Sequence, residues 1–167
     1  SRKEMGLPEN AFVFTCFNAT KKINPKEFLI WINLLKKVQK SVLWLMSSNR
    51  YAERNLKKEA YRNNIDPSRI IFAEKCGVER HIARHKLGDI FLDTFNYNAH
   101  TTASDALLSG LPIITMQGKS FSARVSASLL NTLNLRELVT HSPREYEQLA
   151  YNLAINPIKL NSIKNKL

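Results

Sequence analysis

The apolar positions of this chain fall into short continuous runs, separated by longer stretches whose apolar residues recur at helical spacing. "AFVFTCFN" (residues 11–18) is the first run. It is rich in β-formers and apolar at nearly every position, the pattern of a strand buried on both faces. "SVLWLMS" (41–47), "RIIFAE" (69–74), "DIFLDT" (89–94) and "PIITMQ" (112–117) repeat it, and a short sixth strand is expected near residues 137–140. Between the first two runs, Phe28, Trp31, Ile32, Leu35 and Val38 form one helical stripe. Asn24, Pro25 and Glu27 ahead of it supply an N-cap, a proline at the first helical position and a capping-box acid.

A charged helix is expected over 51–63, a short one over 78–87, and another from the turn at Thr101 to Gly110. A further helix spans 123–133, and Ser142, Pro143 and Glu145 repeat the cap pattern and start a terminal helix. Strands that alternate with helices, each continuously apolar, predict an α/β fold: a doubly wound, Rossmann-like parallel sheet.

Composition adds bounds. A chain of 167 residues suits one domain, spanning 1–167, with a core that needs no disulfides. No apolar run approaches the roughly 20 residues that cross a bilayer, so no membrane partner is expected. The polar start, without an initiating Met or signal peptide, reads as a piece of a longer protein. Cys16 and Cys76 lack metal-ligand spacing, which suggests a reducing, cytoplasmic setting. The net charge of +11 is lopsided: residues 1–86 carry 18 basic and 8 acidic side chains, residues 87–167 only 7 and 6. Such a surface attracts polyanions, whether a nucleotide diphosphate, nucleic acid or an acidic partner.

In a doubly wound sheet, ligands bind beyond the carboxyl ends of the strands. Three loops there carry polar groups. "FNATKK" (17–22) ends in two lysines, and Lys22 is placed to neutralise a phosphate, although two solvated lysines would read the same way. "GVERHIARHK" (77–86) sets His81, Arg84 and His85 within one helical turn. The His pair lacks the acid of an HExxH motif and a third ligand, so a polar surface face is a stronger reading than a metal site. A planar base packed on His81 or Arg84 is a third possibility. "YNAHTTASDALLSG" (97–110) opens a helix with His100, Thr101, Thr102 and Asp105. If Thr101 or Thr102 caps it, free N–H groups backed by the helix dipole form a phosphate site. Asp105 then reads either as a capping-box acid or as an acceptor for a ribose hydroxyl. No glycine-rich dinucleotide or P-loop motif is present, no GxSxG, and no DxD pair for a metal-held diphosphate.

These loops, in this order, resemble the C-terminal catalytic lobe of the O-linked N-acetylglucosamine transferases. The resemblance is carried by "GLPENAFVFTCFN", "KINP", "SVLWLM", "RIIF", "LDTFNYNAHTTASDAL", "SGLPIITMQG" and "SARVSASLL", and covers nearly the whole chain. It implies one of the two facing Rossmann-like lobes of a GT-B glycosyltransferase. The lobe would bind a UDP-sugar and transfer the sugar, N-acetylglucosamine in this family, with inversion and without a metal or other cofactor, to Ser or Thr of a protein acceptor. By resemblance, Lys22 contacts the diphosphate, and His81, Arg84 and the main chain of Cys76 surround the uridine. His100, Thr101 and Thr102 cradle the phosphates, and Asp105 meets the ribose. The acceptor would be held by the other lobe and by helical repeats upstream, so the isolated lobe is expected to bind nucleotide weakly and transfer nothing.

Two positions depart from the family. Ala19 replaces a Gln that reaches the diphosphate and sugar, and Val78 replaces a Lys near the nucleotide. Lys21 and Lys75 are the candidate substitutes. Three alternatives stay open: a lobe that keeps the fold without transfer, a relative that glucosylates asparagine, and a non-catalytic basic module for nucleic acid or a protein partner. The last is the weakest for nucleic acid, because neither the aromatic pattern of an RNA-binding sheet nor helix-turn-helix spacing is present.

Overall fold

A computed structural model describes residues 1–167. Its six strands are β1 (Phe12–Cys16), β2 (Ser41–Met46), β3 (Ile70–Ala73), β4 (Ile90–Leu92), β5 (Ile113–Met116) and β6 (Val139–Thr140). They form one sheet in the order β3-β2-β1-β4-β5-β6, and every neighbouring pair is parallel. The helices are α1 (Pro25–Lys37), α2 (Arg50–Arg62), α3 (Val78–His85), α4 (Thr101–Leu108), α5 (Val125–Thr132), α6 (Pro143–Ile155) and α7 (Pro157–Lys164). The chain winds outward from β1 to β3, returns to β4 and winds outward the other way. With right-handed crossovers, this puts α1 and α2 on one face and α3, α4 and α5 on the other. Helix α6 swings back to pack on α1, and α3 packs on α4.

The local signals act as expected. The Asn24 side chain accepts from the N–H groups of Lys26 and Glu27, while Glu27 accepts from the Asn24 N–H, completing the capping box. Helices α2, α4 and α5 end alike: Asn64, Gly110 and Asn134 take left-handed φ of 61°, 75° and 57°. The N–H one residue further on then bonds back into the last turn, Ile65 to Ala60, Leu111 to Ala106 and Leu135 to Leu130. Each is a Schellman stop with an apolar residue turned inward after it. The terminal helix differs from expectation. Pro157 has no N–H to continue α6, so Asn156 caps a second helix by accepting from the Lys159 N–H.

The core sits on both faces of the sheet, with Trp31, Trp44, Tyr146, Phe14 and Phe91 fully buried. On the α1–α6 side, the Tyr146 hydroxyl accepts from Trp31 Nε1 at 3.2 Å and donates to the Asp93 carbonyl at 3.0 Å. It thereby ties two helices to the end of β4.

Tyr146→Phe keeps the ring and orphans two buried polar groups. The expected cost is about 2 kcal/mol. Thermal unfolding followed by circular dichroism should show this as a fall in Tm of roughly 4–8 °C for a chain of this size.

Candidate nucleotide site at the sheet's switch point

The direction of winding reverses between β1 and β4, so the connections leaving their carboxyl ends part and leave a crevice. The β1 connection carries Phe17, Asn18 and a short 3-10 turn, Thr20–Lys22. The β4 connection runs from Asp93 to His100 and ends in α4. The two are fastened across the crevice. Lys22 Nζ donates to the Asn98 carbonyl at 3.1 Å and lies 4.1 Å from the centre of the Tyr97 ring. Tyr97 stacks on His100 at 4.9 Å, and Phe121 meets the edge of His100 at 6.3 Å. Partial burial pulls the Lys22 ammonium below the ordinary lysine range, and the nearby Asp93 pulls it back.

Helix α4 begins differently from expectation. Neither threonine caps it. His100 is the N-cap and makes no side-chain capping bond; Thr101 and Thr102 are the first two helical residues. The His100 carbonyl accepts from the N–H groups of Ala103 and Ser104, while the N–H groups of His100, Thr101 and Thr102 have no partner in the chain. Because no side chain folds back over them, these donors stay free at the positive end of the helix. Asp105 is therefore not a capping-box acid. Its carboxylate accepts no hydrogen bond; burial and the Arg84 charge hold His81 below the ordinary histidine range, and Asp105 opposes that shift.

The stretch 77–86 departs from expectation at two residues: Glu79, Arg80 and Lys86 are solvated, but Arg84 is 4% exposed and His85 fully buried. The Arg84 guanidinium donates to the Glu74 carbonyl at 2.6 Å and to His81 Nδ1 at 2.6 Å, and lies 4.6 Å from the Phe17 ring centre. An arginine can only donate, so His81 Nδ1 is an acceptor and its proton sits on Nε2. His85 Nδ1 meets the His81 carbonyl at 2.7 Å and must be the donor there, which leaves a bare Nε2 in the interior without a partner. Phe17 packs against His81 and His85 and joins this cluster to the crevice. Cys76 and Arg84 line a hollow of about 210 Å³ with Phe72, Ala73 and Lys75. Ala19 and Val78 are both exposed, as are Lys21 and Lys75 beside them. No three His, Cys, Asp or Glu side chains converge as metal ligands would.

The structure thus gathers Lys22, His100, Thr101 and Thr102 at one end and Cys76, His81, Arg84 and Asp105 at the other, with Phe17 between. Asn18, Glu27, Asp93, Tyr97 and Asn98 belong to the same region and were not read from sequence as site residues, Glu27 only as a capping-box acid. The signal for Asp93 was an acid closing an apolar strand. On the open side, a groove of about 800 Å³ starts at Gln117 and Phe121 and follows α5 past Val125 and Leu129.

The fold is a doubly wound lobe whose free helix N–H groups lie at the switch point, where such sheets take their ligands. The sequence profile of glycosyl transferase family 41 matches residues 1–167, and the chain belongs to that family. It is 37% identical over 167 residues to the UDP-N-acetylglucosamine–peptide N-acetylglucosaminyltransferase of Caenorhabditis elegans, covering 100% of this chain and 14% of that protein. It is 36% identical to the probable enzyme of the same name, SEC, of Arabidopsis thaliana, covering 99% of this chain and 17% of that one. The chain therefore spans less than a fifth of either relative. Among solved structures, a mutant O-GlcNAc transferase of Thermobaculum terrenum superposes with a TM-score of 0.89 at 24% identity, over 95% of this chain and 33% of that chain. A UDP-GlcNAc 2-epimerase of Neisseria meningitidis, bound to UDP-GlcNAc, gives 0.69 at 13%, over 98% and 42%. These likenesses establish a GT-B lobe as the fold. No helix is long and apolar enough to cross a membrane.

Two buried groups give opposite pH signatures. Burial pushes the Glu27 carboxyl up to about 7 from 4.5, so between those values the folded chain holds a proton that the unfolded chain releases. Its contribution to stability falls as pH rises through that window. Burial pushes His85 down to about 4 from 6.5, so its contribution is lost on acidification from 6.5 towards 4. From pH 7 to pH 5, urea unfolding should show Glu27→Gln losing about 1–2 kcal/mol more than the parent, and His85→Asn losing about 1–2 kcal/mol less.

Proposed function

We propose that this lobe holds the UDP moiety of a UDP-sugar, with N-acetylglucosamine as the sugar, in a protein O-glycosyltransferase. The observation that carries the reading is the set of three unpartnered N–H groups at the start of α4, beside Lys22 in the β1–β4 crevice. Family membership supports it, as do the two relatives whose names state peptide N-acetylglucosaminyl transfer.

In this reading the diphosphate lies on the His100, Thr101 and Thr102 N–H groups, within reach of the threonine hydroxyls and the Lys22 ammonium. The uracil packs against the His81 imidazole. Arg84 fixes that ring's tautomer and leaves its Nε2–H free to donate, and the Cys76 main chain borders the base. Asp105, with no internal donor to satisfy it, accepts from the ribose hydroxyls.

Transfer follows from charge. A Ser or Thr hydroxyl oxygen of the acceptor bonds to the anomeric carbon from the face opposite the diphosphate. The bond from that carbon to the β-phosphate oxygen breaks, and its electron pair leaves on UDP. The hydroxyl proton passes to a base outside this lobe. Donors already in place gain strength as the leaving oxygen becomes more negative, without reorganising. No metal or other cofactor is assigned a role in this reading. The acceptor and the base belong to the facing lobe, with helical repeats upstream, in a cytoplasmic enzyme.

Calorimetric titration of the full-length protein with UDP at two salt concentrations tests the reading. Uridine-specific binding is expected. Lys22→Ala should weaken it by about tenfold or more, the loss of one hydrogen bond to a charged group, and lower kcat for transfer by about 100-fold. Base-indifferent binding that collapses with salt and ignores Thr102→Val would identify a polyanion-binding module instead.

A further inference from the structure

The loop that presents the free N–H groups is itself held by a carboxylate that no ligand can reach. Asp93 is fully buried at the carboxyl end of β4. Its Oδ1 accepts from the Ala99 N–H at 2.7 Å, the Thr94 N–H at 2.9 Å and Asn18 Nδ2 at 3.2 Å. Its Oδ2 accepts from Thr115 Oγ1 at 2.8 Å. One side chain thus joins the exits of β1, β4 and β5 to the residue directly before the His100 cap.

Its neighbours extend the hold. Asn18 Nδ2 also donates to Thr94 Oγ1, whose hydroxyl donates to the Tyr97 carbonyl. Asn98 Nδ2 donates to the Thr94 carbonyl, the Ser126 hydroxyl donates to the Ala99 carbonyl, and Glu27 accepts from the Phe95 N–H. The Asp93 contact to the Ala99 N–H holds the Asn98–Ala99 peptide, and the Ser126 contact to the Ala99 carbonyl holds the Ala99–His100 peptide, so both planes leading into the unpartnered N–H groups of His100, Thr101 and Thr102 are set.

We infer that Asp93 is a positioning residue for the diphosphate: it touches no substrate, and it fixes the Asn98–Ala99 peptide from which the chain enters α4 and its three free donors. The inference rests on the nucleotide reading above. It states which internal group gives that site its geometry, and it predicts a loss of affinity rather than of stability alone.

The test uses the full-length protein, titrated with UDP by calorimetry well below the unfolding temperature. Asp93→Ala removes all four acceptor contacts and should weaken UDP binding by about 10- to 100-fold, the scale of an ångström-sized misplacement of binding groups. Asp93→Asn keeps an Oδ1 acceptor for Ala99, Thr94 and Asn18, and lets Thr115 Oγ1 accept instead of donate. It should restore affinity to within about threefold, a fraction of one hydrogen bond's worth. In the wild type, the Ala99 amide should exchange with solvent as slowly as core strand amides.

A folded Asp93→Ala protein with wild-type affinity overturns the inference and leaves the nucleotide reading intact. Absence of UDP binding by the wild type overturns both. Should Asp93→Ala fail to fold, hydrogen exchange decides: an Ala99 amide exchanging at the rate of an open loop overturns the inference, and a protected one sustains it.

Discussion

A carboxylate taken out of water must be surrounded by donors or it will not stay in the fold. At Asp93 burial pushes the carboxyl up, and the hydrogen bonds it accepts oppose that shift. The donors come from different strands and from the loop they enclose, so satisfying one side chain brings three strand ends into register. The Asp93 carbonyl is also occupied, by the Tyr146 hydroxyl, which accepts in turn from Trp31. The binding end of the sheet and the helical layer behind it are therefore joined through a single residue. Distortion at either end is felt at the other, because interiors at this packing density transmit strain.

The crevice itself needs no special sequence. It exists because the strand order reverses between β1 and β4. What the sequence adds is the choice of side chains on the two connections. Lys22 is pulled in by the Asn98 carbonyl and the Tyr97 face, so the cation is aimed before any ligand arrives. The entropy of restraining a long side chain is lost during folding and need not be lost on binding. At the other end, Arg84 is spent on the Glu74 carbonyl and His81. Its part is to hold an imidazole in one tautomer and one plane, which suits a stacking surface better than a mobile charge would.

The fold was legible because its determinants are local and repeated. Continuously apolar strands, the Asn24 cap and the stop at Gly110 each act within a few residues. The split of the terminal helix was not read, although Pro157, with no N–H to continue α6, marks it. The candidate residues were legible as residue types at strand ends, and the structure brings them together. Their manner of presentation was not. Thr101 and Thr102 look like caps because threonine commonly caps helices, yet a cap would have consumed the donors that the site leaves free. His85 and Arg84 look solvated because charged and polar residues usually are. Their burial depends on Phe17 and the Glu74 carbonyl, remote in sequence and adjacent only after folding. Asp93 showed in sequence as an acid closing an apolar strand, but its role did not, since its partners lie as far away as Asn18 and Thr115.

The winding of the sheet turns an imbalance in the sequence into one in space. Residues 1–74, which form β1, β2 and β3 with α1 and α2, carry 14 basic and 7 acidic side chains, so more of the excess positive charge lies on that flank of the crevice. The charge of the lobe is therefore unevenly placed on the two sides of the crevice. On the proposed reading, a doubly negative guest is turned during its approach, phosphates leading, before any contact forms. Added electrolyte weakens that turning over a distance of about 10 Å and leaves the short-range grip nearly untouched, so ionic strength governs the rate of capture more than the time of residence.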